Sequence, residues 1–241
     1  SYGKGTAIRP PSDLDLLYVL PYDVHQRINQ RVGNKQSALL QEVKEALAVT
    51  FPNTDMAADG QVIDVPFQSY AVEVIPSFIC NDGSYLICDS NNGGNWSNSY
   101  PHAEYQAIKG VDDISEKKAT HLIWMLKAWK RNCSVDVPSI VLEIMATEFV
   151  RTWSNRERDL FWYDFLVRDY FYWMAFQTNK KAIIAGSRKV VPIGNSWLSK
   201  AQTAYQRALK ACGYENQNYN FLSVEEWQKI FGTQFVAAPS V

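Results

Sequence analysis

The spacing of apolar and polar positions changes character once along the chain. In the first half, short apolar runs alternate with turn residues: "LDLLYVL" (14–20), "QVIDVPF" (61–67), "AVEVIPSF" (71–78) and "SYLICDS" (84–90) have the length and content of β-strands. Gln68–Tyr70 supplies a turn, and Leu39, Leu40, Val43 and Leu47 predict a helix over 35–50. Residues 91–101, "NNGGNWSNSYP", are dense in Asn, Gly and Ser and predict a loop. From Ser115 onward the period becomes helical. Leu122, Met125, Leu126 and Trp129 form one stripe, with Ser115 its expected N-cap. Residues 157–176 are aromatic-rich and predict a buried helix. Ser199 is the expected cap of a helix with the stripe Ala201, Ala204, Tyr205, Ala208 and Cys212, closed by Gly213. Ser223 and Glu226 have capping-box spacing ahead of Trp227 and Ile230. The pattern predicts an α+β protein, with a mixed-sheet unit over residues 1–110 and a helical one over 111–241, and a site in the cleft between them.

Composition narrows the class. Of 241 residues, 46% are hydrophobic and 13% aromatic, which excludes a disordered chain. Lys+Arg at 24 against Asp+Glu at 25 leaves a net charge of -1, so no global basic field recruits nucleic acid. The four cysteines form no CxxC pair, and His25, His102 and His121 are too dispersed for a zinc site; reduced thiols and structural histidines are expected. No apolar run reaches the roughly 20 residues that span a bilayer, and no basic-then-apolar leader opens the chain. A soluble cytoplasmic protein without a membrane partner is expected.

The chemistry concentrates near the start. Asp13 and Asp15 stand two apart on an apolar strand, so both point to one face, with Leu14 and Leu16 on the other. Two such carboxylates repel unless a cation binds or one holds a proton. Mg²⁺ prefers carboxylate oxygens together with substrate phosphates. Upstream, Gly3 and Gly5 with Ser1 and Thr6 can offer backbone N–H groups and hydroxyls to a phosphate. Glu73, between Val72 and Val74, is costly in an apolar strand unless it is paired or ligates metal, and so is the expected third carboxylate. Asp64 reads as an ordinary exposed-face residue.

The opening "SYGKGTAIRPPSDLDLLYVL" resembles the glycine-serine turn and D-x-D of the polymerase-β-like nucleotidyltransferases, and "AVEVIPSF" resembles their third-acid strand. "HLIWMLKAWKR", "PSIVLEIM" and "WLSKAQTAYQRALKACGYE" resemble the helical domain of the bacterial cyclic-oligonucleotide synthases of anti-phage defence, relatives of cyclic GMP-AMP synthase and oligoadenylate synthetase. The resemblance covers nearly the whole chain. It implies a polymerase-β-like palm followed by an oligoadenylate-synthetase-like helical domain. It also implies Asp13, Asp15 and Glu73 as catalytic and metal ligands, and Ser1, Lys127 and Ser139 as nucleotide contacts. Relatives often carry an aromatic after the residue matching Ser139, where this chain has Ile140; Tyr2 or a tryptophan of the second half is then expected to stack on the base. The third acid is Glu where Asp is commoner. A helix and a glycine would precede Ser1 in the family pattern.

The implied activity is synthesis of a cyclic di- or trinucleotide from NTPs, ATP among them, with two Mg²⁺, Mn²⁺ being the alternative, and with release of pyrophosphate. An effector and a regulatory protein are implied but not identified. The rival readings are a templateless RNA-end nucleotidyltransferase, an enzyme that transfers a nucleotide to a protein or drug, and a catalytically silent nucleotide-binding scaffold. The first calls for a basic surface, which the charge balance does not supply. The last has no reason to keep three repelling carboxylates.

Overall fold

Strand β1 (Asp13–Val19) leads into helix α1 (Tyr22–Asn29) and then α2 (Lys35–Thr50), whose first turn is closed by the Asn34 side chain accepting from the Ser37 N–H. Strands β2 (Ala57–Asp59), β3 (Val62–Pro66), β4 (Ala71–Ile79), β5 (Tyr85–Asp89) and β6 (Asn95–Ser99) follow as a meander. A computed structural model provides these elements and describes residues 3–8, 13–68, 70–159 and 162–235. Contacts divide the chain into two compact units, 1–104 and 105–241.

All six strands share one sheet, in which β1 runs parallel to β4 and the other pairs are antiparallel. Val72 to Val74 pair with both β1 and β3, whereas Ser77 pairs with Val19 of β1 and Ile87 of β5. Strands β3 and β5 therefore occupy successive stretches of one edge of β4, opposite β1. Ile63, Val65, Val74, Phe78 and Cys88 turn one face inward, where Leu39, Leu40 and Val43 of α2 and Ile28 of α1 cover it. That covering leaves the alternate residues of β1, β3 and β4 on the other face.

Helix α3 (Pro101–Asp112) crosses the boundary between the units, and the second unit is built from α4 (Lys118–Asn132), α5 (Ser139–Thr152), α6 (Tyr163–Met174), α7 (Leu198–Asn216) and α8 (Asn220–Phe231). Leu122, Leu126 and Trp129 of α4, Val141 and Met145 of α5, and Tyr170 and Phe171 of α6 form its core. Helix α7 presents Ala201, Ala204, Ala208 and Ala211 to that core. Among the described residues, no helix is long and apolar enough to cross a membrane, and all four cysteines are free thiols.

Several local expectations fail, each for a visible reason. The expected loop over 91–101 contains a short turn at Asn91–Gly93 and then β6, because pairing with β5 from Tyr85 to Asp89 supplies hydrogen bonds that override the poor strand propensity of Asn and Ser. Ser115 does not cap α4: its hydroxyl donates back to the Val111 carbonyl, and Asp112 instead accepts from the Thr120 N–H. Ser199 lies inside α7, which starts at Leu198 and runs through Gly213 to Asn216. Ser223 is likewise inside α8 and donates to Glu215. The hairpin of β7 (Lys181–Ile183) and β8 (Val190–Pro192) carries no strong periodicity, and helix α1 is a short amphipathic helix of eight residues with only Ile28 buried.

Candidate active site

Pairing in the sheet brings the acidic residues together. Asp15 of β1 is opposite Glu73 of β4, and Glu73 is opposite Asp64 of β3. Paired residues share a face, so Asp15, Glu73 and Asp64 form one row across three strands spaced by about 4.8 Å. Asp13 lies in β1 two residues before Asp15, in register with Ala71; its side chain lies outside the described residues, as do Ser1 and Tyr2. Asp15 is exposed, and Glu73 and Asp64 are half-buried. Their strand neighbours Ile63, Val65 and Val74 are buried on the opposite face.

This row explains why the segment folds as it does and what it can hold. Val72, Val74, Ile63 and Val65 fix the register by burying one face, and a slip of one residue would bury the carboxylates. Like charges about 5 Å apart repel by roughly 1 kcal/mol in water and about 3 at an effective dielectric of 20. A divalent cation reverses the sign of that interaction, and hard carboxylate oxygens are the donors it prefers. The donor set of Asp15 and Glu73, with Asp64 beside it, fits such an ion. Asp64, read from sequence as an ordinary surface residue, joins the row because register is set by strand pairing, which no local pattern reveals.

The glycine turn belongs to the same unit. Residues 3–5 form a turn in which Gly5 has φ +70°, a conformation that strains other residues. Lys4 Nζ makes a 2.8 Å ion pair with Glu104 in the first turn of α3, and Thr6 is fully buried.

The remaining predicted nucleotide contacts belong to the second unit. Lys127 of α4 donates to Glu143 of α5 at 2.6 Å, and the two side chains are only 11% and 5% exposed. Lys130, one turn further, reaches Ser139 Oγ at 3.4 Å at the N-terminus of α5. Lys127 and Ser139 thus lie on neighbouring helices, and Lys130 is the lysine whose ammonium meets the Ser139 hydroxyl. His25 is ringed by Tyr22, Phe78 and Trp96, and His121 bonds to the Tyr163 hydroxyl. Burial pushes both imidazoles below their ordinary value.

A different cluster occurs in the second unit. Ligand atoms of Asp164, Cys212 and Glu215 lie within 4.8 Å of one another. Burial pushes the Cys212 thiol up to about 12 and raises the Asp164 carboxyl. Glu215 accepts from Ser223 Oγ at 2.6 Å and Trp227 Nε1 at 2.9 Å. A protonated thiol is a poor metal ligand, and the bonds of Glu215 tie α7 and α8 together.

Residues 1–112 match the family described as "Second Messenger Oligonucleotide or Dinucleotide Synthetase domain". Over that stretch, just under half of the chain, the sequence is similar to such synthetases. The matched stretch takes in the whole carboxylate row and extends to the end of α3. Over 271 aligned residues the chain is 18% identical to a probable cyclic nucleotide synthase of Bacillus cereus (strain VD146), covering 98% of this chain and 80% of that protein. CdnC of Escherichia coli MS115-1, solved in a complex with HORMA-deltaN, superimposes with a TM-score of 0.68 at 16% identity, over 97% of this chain and 81% of that one. A mutant of the Vibrio cholerae di-nucleotide cyclase DncV gives a TM-score of 0.78 at 11% identity, over 98% of this chain and 69% of that one. The chain shares its α+β fold with both.

Proposed function

We propose that this chain is a synthase that joins NTPs, ATP among them, into a cyclic di- or trinucleotide with release of pyrophosphate, in bacterial anti-phage signalling. The observation that carries the reading is the in-register pairing of Asp15 with Glu73, two residues after Asp13. Two Mg²⁺ ions would be held by Asp13, Asp15 and Glu73. Bound there, they would supply charge neutralisation for the triphosphate and lower the pKa of the attacking ribose hydroxyl.

The residues of the chain do the rest. The Gly3–Gly5 turn, pinned through Lys4 to Glu104, offers backbone N–H donors, with Ser1 beside it in sequence. Lys127 and Ser139 would bind and orient the triphosphate, and Lys130 would add its charge beside the Ser139 hydroxyl. Base selection is assigned to groups other than these, because the triphosphate is common to all NTPs. The related E. coli CdnC has been solved with ATP, and V. cholerae DncV with the linear intermediate pppA(3′,5′)pG. The CdnC complex with HORMA-deltaN supports a regulatory protein as the class of partner.

The test is incubation with each radiolabelled NTP and Mg²⁺, followed by mass spectrometry of phosphatase-resistant products. A resistant cyclic product is expected, and the Asp13→Asn/Asp15→Asn variant should fold yet form none. Near-wild-type turnover by that double variant would remove the proposed metal site. Nucleotide binding without product from any NTP mixture, with the regulatory partner present, would make the chain a silent scaffold.

A further inference from the structure

The second unit carries its charge unevenly. From Tyr170 to Tyr214 the sequence has seven Lys and Arg and no Asp or Glu. None of the seven makes an ion pair among the described residues. The short ribbon of β7 and β8 lies inside this stretch, and its Lys181, together with Arg188 and Lys189 of its turn, is exposed. The field around the ribbon is therefore not neutralised by its own flanks.

Pairing within the ribbon sorts its side chains. Ala182 is opposite Val191, and both turn toward the helical core, where Ala182 is buried. The alternate pairs, Lys181 with Pro192 and Ile183 with Val190, point away from that core. All four are exposed, Ile183 by 61% and Val190 by 52%. One outward face thus presents two β-branched residues directly opposite each other, with cations at both ends. The turn beyond them is fixed: the Ile184 N–H donates to the Lys189 carbonyl at 2.9 Å and the Arg188 N–H to the Ile184 carbonyl at 3.0 Å. Gly186 and Arg188 hold φ of +81° and +53° there. A face presented in this way costs little further ordering when it binds.

The mixture of groups selects the occupant. Cations alone would suit any polyanion, but a phosphodiester backbone offers nothing to Ile183 and Val190. A protein partner would have to match this face with an apolar spot ringed by acids. An anionic bilayer presents that combination at every point of its surface, as phosphate-bearing headgroups over acyl chains. Lys and Arg stems can lie along the apolar pair while their charged heads stay among the headgroups. Such a contact needs no spanning helix, so the expectation of no membrane partner, which rests on spanning segments, does not bear on it.

We propose that the outward face of the β7–β8 ribbon is a peripheral membrane contact, seating Ile183 and Val190 at the headgroup boundary of an anionic bilayer with Lys181, Arg188 and Lys189 on lipid phosphates. It uses none of the residues assigned to nucleotidyl transfer and is independent of that reading. Each cation held near such a surface multiplies partitioning by about fivefold. The attachment is therefore reversible and weakens with salt.

The test is co-sedimentation of the full chain with vesicles of equal parts phosphatidylcholine and phosphatidylglycerol, against vesicles of phosphatidylcholine alone. Sedimentation with the anionic vesicles only is expected. Lys181→Gln/Lys189→Gln should weaken it about 25-fold, from two such cations. Ile183→Thr/Val190→Thr, which keeps β-branched side chains in the strands, should weaken it as well. No excess binding to anionic vesicles at millimolar lipid overturns the proposal, as does full binding by the lysine variant. Full binding by the threonine variant overturns it too, since the lysines would then form a general polyanion surface for nucleic acid or an acidic protein. Should the threonine variant fail to fold, the lysine variant and the comparison of the two vesicle types still decide.

Discussion

Replacing Lys127 by Met should unfold the second unit far more readily than loss of one surface charge would. Lys127 and Glu143 make a 2.6 Å ion pair with side chains 11% and 5% exposed, and Glu143 sits among Val141, Leu142 and Met145 in α5. Removing one partner of such a pair leaves a charge in a low-dielectric site, at a cost of about 3–5 kcal/mol. For a chain of this size that lowers Tm by roughly 10 °C. The double variant Lys127→Met/Glu143→Leu removes both charges and should recover most of the loss, since a buried pair often breaks even with apolar replacements. Urea unfolding of the two variants and wild type measures the coupling. A single-variant loss below about 1 kcal/mol, the range of an exposed ion pair, would refute the reasoning. The same pair of proteins separates stability from function. If Lys127 also orients the triphosphate, the refolded double variant should show a raised KM for NTP despite its restored stability.

Other expectations follow from the row of acids and from the half-buried His121. Glu73→Gln should abolish product formation, whereas Asp64→Asn, at the margin of the row, should weaken divalent-cation affinity and leave measurable turnover; metal titration of activity ranks the two. Equal turnover in all three proteins would remove Glu73 from the site. Burial lowers His121 from its ordinary 6.5, so the folded state binds fewer protons than the unfolded chain around that pH. Its contribution is therefore fully present above about 6.5 and lost as pH falls below it. Tm should drop between pH 7 and pH 5, and the drop should shrink in His121→Gln; an identical drop in both proteins would assign it to other groups.

What the sequence discloses depends on how local the cause is. Strands β3, β4 and β5 and helix α2 are legible because one face of each is buried and the apolar period records it, and β1 because its run of Leu, Tyr and Val has the length and content of a strand. The D-x-D and Glu73 are legible because charge in an apolar run is costly. Strand β6 is hidden, since its hydrogen bonds come from β5 rather than from its own side chains. The three serines read as caps fail for a related reason: Ser115 and Ser223 each spend their hydroxyl on another element, and helix α7 begins one residue before Ser199. Asp64 escapes because only the β3–β4 register places it beside Glu73. Lys130 escapes because its approach to Ser139 depends on how α4 packs on α5.

Among the described residues, strand β1 is held in the sheet along one side, by β4 alone, and Leu16, Tyr18 and Val19 are each about half exposed. A strand tethered on one edge opens by local fraying, at a lower free energy than the interior of the sheet. An ion gripped by Asp15 and Glu73 would act there as a cross-strand staple, so part of its binding energy would appear as order in the strand. Amide exchange along β1 would then slow when the cation is added, while the β4–β5 ladder would change little. Fraying of this edge and metal affinity would be two readings of one equilibrium, and a substitution that loosens β1 without touching a carboxylate would weaken the ion's hold.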